Sequence, residues 1–304
     1  MVSFLVTFLI LLLIFMVFPR VSPFHPGWIK AMIPLIGGLL AGFTFLIVQV
    51  NNNFQNFNNQ FLKLLDLHKN NVNDIDISSL PDSGYPRYTK HYFFQYVLDE
   101  FMTVHNLVSI NIRSRRMNEA ILFDAFEREK ESARKATMYL EDFTAVNISY
   151  LIVFFGMTKG KESLRSALRN TYSEELITGV FQWLEAFEVG GETPRTTPLH
   201  GFQGVLGHYF RHLFSTVKFV NTPQFVSTAT KKDMIKMLRA QLSTFEQALL
   251  TINSLSVLGR KWEIESDPEH KDLITTYDLT RNIPSEFFGV IDPKKVYPFV
   301  KYES

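Results

Sequence analysis

The sequence predicts a mostly α-helical protein, in which two amino-terminal transmembrane helices precede an α-helical soluble domain. Three observations support this fold class. Two long apolar runs open the chain, helical periodicity dominates after residue 90, and no series of alternating strands is visible. We expect a two-span membrane anchor over residues 1–50, a juxtamembrane helical stalk over 51–77 and a helical domain over 85–304.

The first fifty residues contain the two apolar runs, 2–18 and 29–50, and their only charged residues are Arg20 and Lys30. A helix needs about 20 residues to cross the hydrocarbon core, with a lower limit of about 17, so both runs qualify as spans. The alternative for the first run is a cleaved signal peptide. That run lacks a basic segment before it and a clear cleavage site after it, which favours two retained spans.

The charges beside the spans do not decide the orientation. Arg20 and Lys30 flank the short loop, and Lys63 and Lys69 follow the second span, so each side has two basic residues. Two spans place both termini on the same side of the membrane. We expect that side to be the cytoplasm, because the chain has no cysteine and the large domain would otherwise need translocation.

Two features predict helix association near the membrane. Gly38 and Gly42 give the second span a GxxxG spacing, which lets helices approach closely in lipid. The partner helix is either the first span of the same chain or a second copy, and the sequence leaves both open. The stalk carries a stripe with heptad spacing, which either packs on its own domain or self-associates. Its members are Phe54, Phe57, Phe61, Leu64 and His68.

The stretch GHYFRHLFSTVKFVN, from Gly207 to Asn221, predicts an amphipathic helix. Its apolar residues recur at helical spacing and form one stripe. The stripe consists of Leu206, Phe210, Leu213, Phe214 and Val217. The opposite face is polar and consists of His208, Arg211, His212 and Ser215.

Residues 238–256 predict a second amphipathic helix, whose polar stripe contains Arg239 and Glu246. Antiparallel packing of the two helices would bring Arg211 or His212 to Glu246. Three interpretations stay open: an ion-pair network that fixes helix register, a pocket for an anionic ligand or peptide, and a catalytic site. The candidate functional polar cluster consists of His208, Arg211, His212, Arg239, Ser243, Glu246 and Asn253.

The motifs do not predict an established chemistry. Arg195 and His200 have the separation of a ribonuclease motif of the HEPN type, but Pro198 between them argues against a helix. His208 and His212 have a spacing that suits joint metal ligation, yet Arg211 between them would oppose a cation. We therefore expect no metal and no cofactor, and a non-enzymatic role is favoured over an enzymatic one. The net charge of +1 also gives no reason to expect specific nucleic-acid binding.

Several segments resemble the AbiC-like family of phage abortive infection proteins. The strongest similarity covers roughly residues 207–256, with His208–Phe214, Val217–Phe219, Leu238–Ser243 and the downstream Asn253. Phe214 stands where the family is expected to have a tyrosine. Weaker similarity covers Phe61–His68, Asp272–Tyr277 and Arg281–Pro284, whereas residues 85–200 depart from the family pattern.

The resemblance implies a function in phage defence, by growth arrest or death of the infected cell. It implies a bacterial inner-membrane protein with paired spans and a cytoplasmic helical domain, and it assigns no catalytic residue. We expect a sensor or effector that works through an oligomeric membrane assembly; a membrane-tethered HEPN-like ribonuclease and a non-catalytic scaffold for a partner defence protein are the alternatives. The expected partners are the lipid bilayer, further copies of the chain, and a phage-derived trigger or a neighbouring defence protein.

Overall fold

The computed structural model describes residues 26–75, 91–114, 127–157, 159–189, 201–265, 271–284, 287, 289 and 291–303. The described part is mostly α-helical and contains no strand, as the sequence predicts. Its contacts divide the chain into a first unit that ends at Gln60 and a second unit from Phe61 to Ser304. The first predicted span, 2–18, lies outside the described residues.

The first helix, α1, runs from Pro26 to Asn73. Its residues Pro34–Asn73 form the one helix in the described part of the chain that is long and apolar enough to cross a membrane. The apolar part of this candidate span ends at Val50, because the polar residues Asn51, Asn52 and Asn53 follow. One candidate span is thus found, and a second span stays a prediction.

The described part of the second unit is built from α-helices. After the last residues of α1, they are α2 (His91–Ser114), α3 (Glu127–Lys135), α4 (Leu140–Phe155), α5 (Lys161–Arg169), α6 (Glu174–Val189), α7 (Gln203–Asn221), α8 (Thr228–Arg239), α9 (Thr244–Leu255), α10 (Leu273–Tyr277) and α11 (Pro293–Val296). A single 3-10 turn, Arg260–Trp262, follows α9.

Helix α4 forms the centre of the second unit. Every residue from Phe143 to Phe154 is buried, and the helix contacts α2, α3, α5, α7 and α9. A helix that is apolar all round belongs in a core or a membrane, and the burial of α4 places it in the core. Its carboxy-terminal end is covered by Gly201, where an added Cβ atom would lie 2.2 Å from the carbonyl oxygen of Phe155.

The predicted single helix over 238–256 is wrong, because two helices occupy this segment. Helix α8 ends at Arg239, and α9 begins at Thr244 after a short break. Ser243 and Glu246 form a capping box, in which each side chain bonds to the backbone N–H of the other residue. This Ser-x-x-Glu signature starts a new helix by satisfying two otherwise unpaired N–H groups. The break separates Arg239 from the helix that carries Glu246.

Candidate functional site

The polar face of α7 is divided between solvent and the end of α1. His208, Arg211 and Ser215 are exposed, as the amphipathic pattern predicts. His212 is half-buried, and its Nε2 lies 3.2 Å from the backbone carbonyl oxygen of Leu64 on α1. A neutral His212 with its proton on Nε2 donates this hydrogen bond. Burial lowers the pKa of His212, and the bond to Leu64 partly opposes that shift.

His68 on α1 lies deep in the same contact. Its side chain is 1% exposed, and its ring centre is 5.4 Å from that of Tyr209 and 6.0 Å from that of His212. Neither ring nitrogen has a hydrogen-bond partner in the described structure. Burial lowers the pKa of His68 to about 4, and the nearby His212 adds to this shift. His68 is therefore a buried, uncharged imidazole at neutral pH.

Tyr209 connects this contact to the start of α9. Its hydroxyl donates a hydrogen bond of 2.8 Å to Oε1 of Glu246. The other carboxylate oxygen of Glu246 accepts from the backbone nitrogen of Ser243 at 2.8 Å and from its hydroxyl at 2.6 Å. Burial raises the pKa of Tyr209 well above its usual value, and the Glu246 carboxylate raises it further. The side chain of Glu246 thus joins α7 to the amino terminus of α9.

The expected contact of Arg211 or His212 with Glu246 is not formed. Arg211 is exposed and has no ion-pair or hydrogen-bond partner among the described residues. His212 contacts α1 instead. Tyr209, which sequence reasoning left out of the cluster, takes the place that was assigned to these two residues. The helical spacing already indicated that Tyr209 is buried, because it lies beside Phe210 on the apolar side of the helix.

Arg239 and Asn253 occupy two further, separate positions. The buried Arg239 donates from Nη1 to the backbone oxygens of Tyr277 and Asp278, each at 3.1 Å, and so caps the end of α10. Burial lowers its pKa. Asn253 donates from Nδ2 to the hydroxyl of Tyr150 on α4 at 2.9 Å. The seven residues of the predicted cluster are therefore distributed over separate contacts and do not converge on one reaction centre.

A second polar group, which sequence reasoning missed, lies buried between α3, α4 and the 3-10 turn. Arg260 forms an ion pair with Glu129, and the two side chains are 4% and 1% exposed. The Tyr172 hydroxyl donates to Glu129 Oε2 at 3.2 Å, and Arg260 lies 5.2 Å from the ring centre of Phe143. Burial raises the pKa of Glu129 although Arg260 opposes the shift. Both charged side chains are buried, so this group joins α3 to the 3-10 turn and is not accessible to a substrate.

Metal ligation and HEPN-like ribonuclease chemistry each require a specific set of side chains. Among the described residues, no group of three or more histidine or carboxylate side chains could hold a metal ion. The Arg195–His200 pair lies outside the described residues. Among the described residues, neither His208 nor Arg211 of α7 forms an ion pair or a hydrogen bond with a carboxylate that would complete an acid–base pair.

One protein-family model matches the part of the chain that contains most of these contacts. Residues 201–288 match the family model described as Putative phage abortive infection protein. This is the family that the sequence resemblance indicated, and the match confirms the resemblance over these residues. No curated protein and no solved structure matches the chain.

The residues matched to the phage abortive infection family begin at Gly201 and include α7, α8, α9 and α10. The bond between Tyr209 and Glu246 joins α7 to α9, and the bond from Arg239 joins α8 to the end of α10. His68 and Glu129 lie outside the matched residues but contact side chains within them. The matched segment is thus contacted by side chains of α1 and α3.

Proposed function

We propose that this protein is a membrane-anchored bacterial anti-phage protein of the abortive infection type. The family match over residues 201–288 carries the proposal, because it links the α7–α10 segment to phage defence. In this proposal the second unit lies in the cytoplasm of the host and senses infection. The family match itself assigns neither a trigger nor a reaction.

The membrane anchor of the proposal rests on α1. The side chains from Pro34 to Val50 are apolar or small with few exceptions, and most are exposed; Leu39 and Leu46, for example, are 55% and 60% exposed. A long, exposed apolar surface needs a lipid or protein environment. The same helix continues to Asn73 and supplies the Leu64 and His68 contacts of the second unit. Fractionation of cells should recover the chain in the membrane pellet, from which detergent but not carbonate releases it.

The proposed output is a change in an oligomeric membrane assembly. Gly38 and Gly42 support this step, because no described residue lies within 4 Å of a Cβ atom added to either glycine. Close helix contact in lipid uses such open small-residue surfaces. A double substitution of Gly38→Ile with Gly42→Ile should reduce the oligomer seen on native gels. The matched change Leu39→Ile, on the same helix, should leave the oligomer intact; equal effects of both would argue against a glycine-mediated contact.

The exposed face of α7 supports partner recognition more than catalysis. His208 and Arg211 are exposed, and Glu246, the carboxylate that the sequence analysis placed near Arg211, is bound to Tyr209 and Ser243. A cationic surface of this kind fits an acidic segment of a phage-derived trigger or of a neighbouring defence protein. We therefore prefer a sensor with a recognition face to the ribonuclease alternative, and recruitment of a partner protein is the second candidate function.

Phage challenge of cells that express the protein tests the proposal. Protected cultures should survive phage at low multiplicity, collapse at high multiplicity, and show loss of membrane potential before lysis. Arg211→Ala should abolish protection at unchanged protein level, whereas the matched change Lys232→Ala on the exposed side of α8 should not. Unchanged potential in dying cells, with degraded RNA, would favour the ribonuclease; intact potential and RNA would favour recruitment of a partner.

A further inference from the structure

Three buried polar atoms within one turn of α1 have no hydrogen-bond partner among the described residues. They are Nδ1 and Nε2 of His68 and Nδ2 of Asn71. A buried donor or acceptor without a hydrogen bond destabilises the state that buries it. Both residues belong to the end of α1, so their unpaired atoms destabilise the packing of this segment in the second unit.

Apolar side chains of the same segment hold it in place. Phe61 is fully buried, and Leu65 and Val72 are 5% and 7% exposed. The bond between His212 Nε2 and the Leu64 carbonyl oxygen adds one polar contact. Apolar burial therefore stabilises the docking of the end of α1, and the unpaired polar atoms on the same helix face destabilise it.

The electrostatic surroundings of His68 do not favour a proton. From α7, Tyr209 and His212 face it, and His208 acts on His212. From α9, Glu246 stands behind Tyr209, whose hydroxyl is bonded to it, and α2 contributes the apolar Phe94 against the Tyr209 ring. On α1 itself, the charged Asp66 and Lys69 are exposed. Within the described part of the chain, no carboxylate forms a hydrogen bond with a ring nitrogen of His68.

We propose that residues Phe61–Asn73 form a proton-sensitive latch, which stays docked on α7 while His68 and His212 are uncharged and is released when they take up protons. A proton on His68 would place a charge in a site with no anionic partner and repel a charged His212 across a ring separation of 6.0 Å. Because α1 also carries the apolar segment, release would free the membrane helix from the contact that the second unit makes with its last turns. This inference goes beyond the proposed function and holds whether or not the protein acts in phage defence.

The direction of the pH effect follows from linkage. The pKa of His68 is about 4 when docked, against a reference value of 6.5, so the docked state binds fewer protons between these values. Docking is then strongest above pH 6.5 and weakens as pH falls towards 4. The ratio of released to docked protein should rise up to about tenfold for each pH unit in that interval.

Distance measurements on the full chain in nanodiscs test the latch. The chain has no cysteine, so spin labels on Leu67→Cys and Ser215→Cys, both at exposed positions on α1 and α7, report this contact alone. We expect one narrow distance distribution at pH 7.5 and a second, longer component at pH 5. His68→Leu should keep the narrow distribution at both pH values.

A matched control separates this effect from general acid unfolding. His105 on α2 is also buried but has Ser109 beside its ring nitrogens. His105→Leu should leave the pH response of the latch unchanged. If His68→Leu fails to fold, His68→Phe and hydrogen exchange of residues 61–73 in the unlabelled chain give the same readout, with α4 as the internal reference. An identical distance distribution at both pH values in the wild type, or an undiminished response in the His68 variants, overturns the proposal.

Discussion

The buried pair of Arg260 and Glu129 gives the sharpest stability prediction. Replacing Arg260 by Met keeps much of the side-chain volume over the Phe143 ring but leaves the Glu129 carboxyl buried without its cation. Removing one partner of a buried ion pair costs about 3–5 kcal/mol. At about 2–4 °C for each kcal/mol in a domain of this size, the thermal midpoint should fall by roughly 6–20 °C.

A double substitution tests whether the stability lost in Arg260→Met is caused by the unpaired charge of Glu129. Glu129→Gln removes the charge but keeps an oxygen that can accept the hydrogen bond from Tyr172. The combination of Arg260→Met and Glu129→Gln should therefore recover at least about 2 kcal/mol relative to the sum of the two single changes. Thermal and denaturant unfolding of the full chain in detergent, followed by circular dichroism, give the required free energies of unfolding.

An exposed ion pair on the same helix provides the comparison. Arg134 and Glu131 on α3 are joined by two hydrogen bonds, but their side chains are 75% and 49% exposed. Solvent screens such a pair, so Arg134→Met should produce no measurable change in the midpoint. The reasoning is refuted if Arg260→Met costs as little as Arg134→Met, or if the two buried substitutions simply add.

Three further predictions concern backbone geometry, capping and pH. Gly201→Ala should destabilise the protein by at least about 2 kcal/mol, because Gly201 has a φ of +77° and an added Cβ would overlap a carbonyl oxygen at the end of α4. The control Gly204→Ala, in the open first turn of α7, should not reduce the thermal midpoint. Ser243→Ala should cost about 1 kcal/mol in denaturant unfolding through loss of the capping box. Burial raises the pKa of Glu263 to about 7, so stability should fall by up to about 3 kcal/mol as pH rises from 4.5 to 7. Glu263→Gln should remove this part of the pH dependence, and an unchanged profile would contradict it.

Periodicity in the sequence was sufficient to predict α7. The residues Leu206, Leu213 and Val217 are buried, and His208 and Arg211 are exposed, as one amphipathic stripe requires. The same method failed over 238–256, because apolar spacing continues across the break between α8 and α9. The local chemistry of Ser243 and Glu246 decides that boundary, and a capping box is visible in the sequence only when it is sought.

The contacts of the polar residues could not be predicted in this way. Helical spacing gives the face on which a side chain lies, but not the element that covers that face. His212 lies on the polar side of α7 and is covered by α1, whose Leu64 is 148 residues earlier in the chain. Arg260 and Glu129 are similarly distant, and neither belongs to a recognisable motif. Such pairings depend on the packing of helices that are far apart in sequence.

Within the segment that matches the family, residues with a structural role can be separated from residues without one. Within residues 201–288, Tyr209, Arg239 and Glu246 have partners that explain their presence by fold alone. His208 and Arg211 have no such partners in the described structure, yet they belong to the segment with the strongest resemblance to the family. Exposed arginines are common on protein surfaces, so exposure alone does not assign a ligand to Arg211. Loss of protection without loss of stability in Arg211→Ala is therefore the result that distinguishes recognition from folding in this protein.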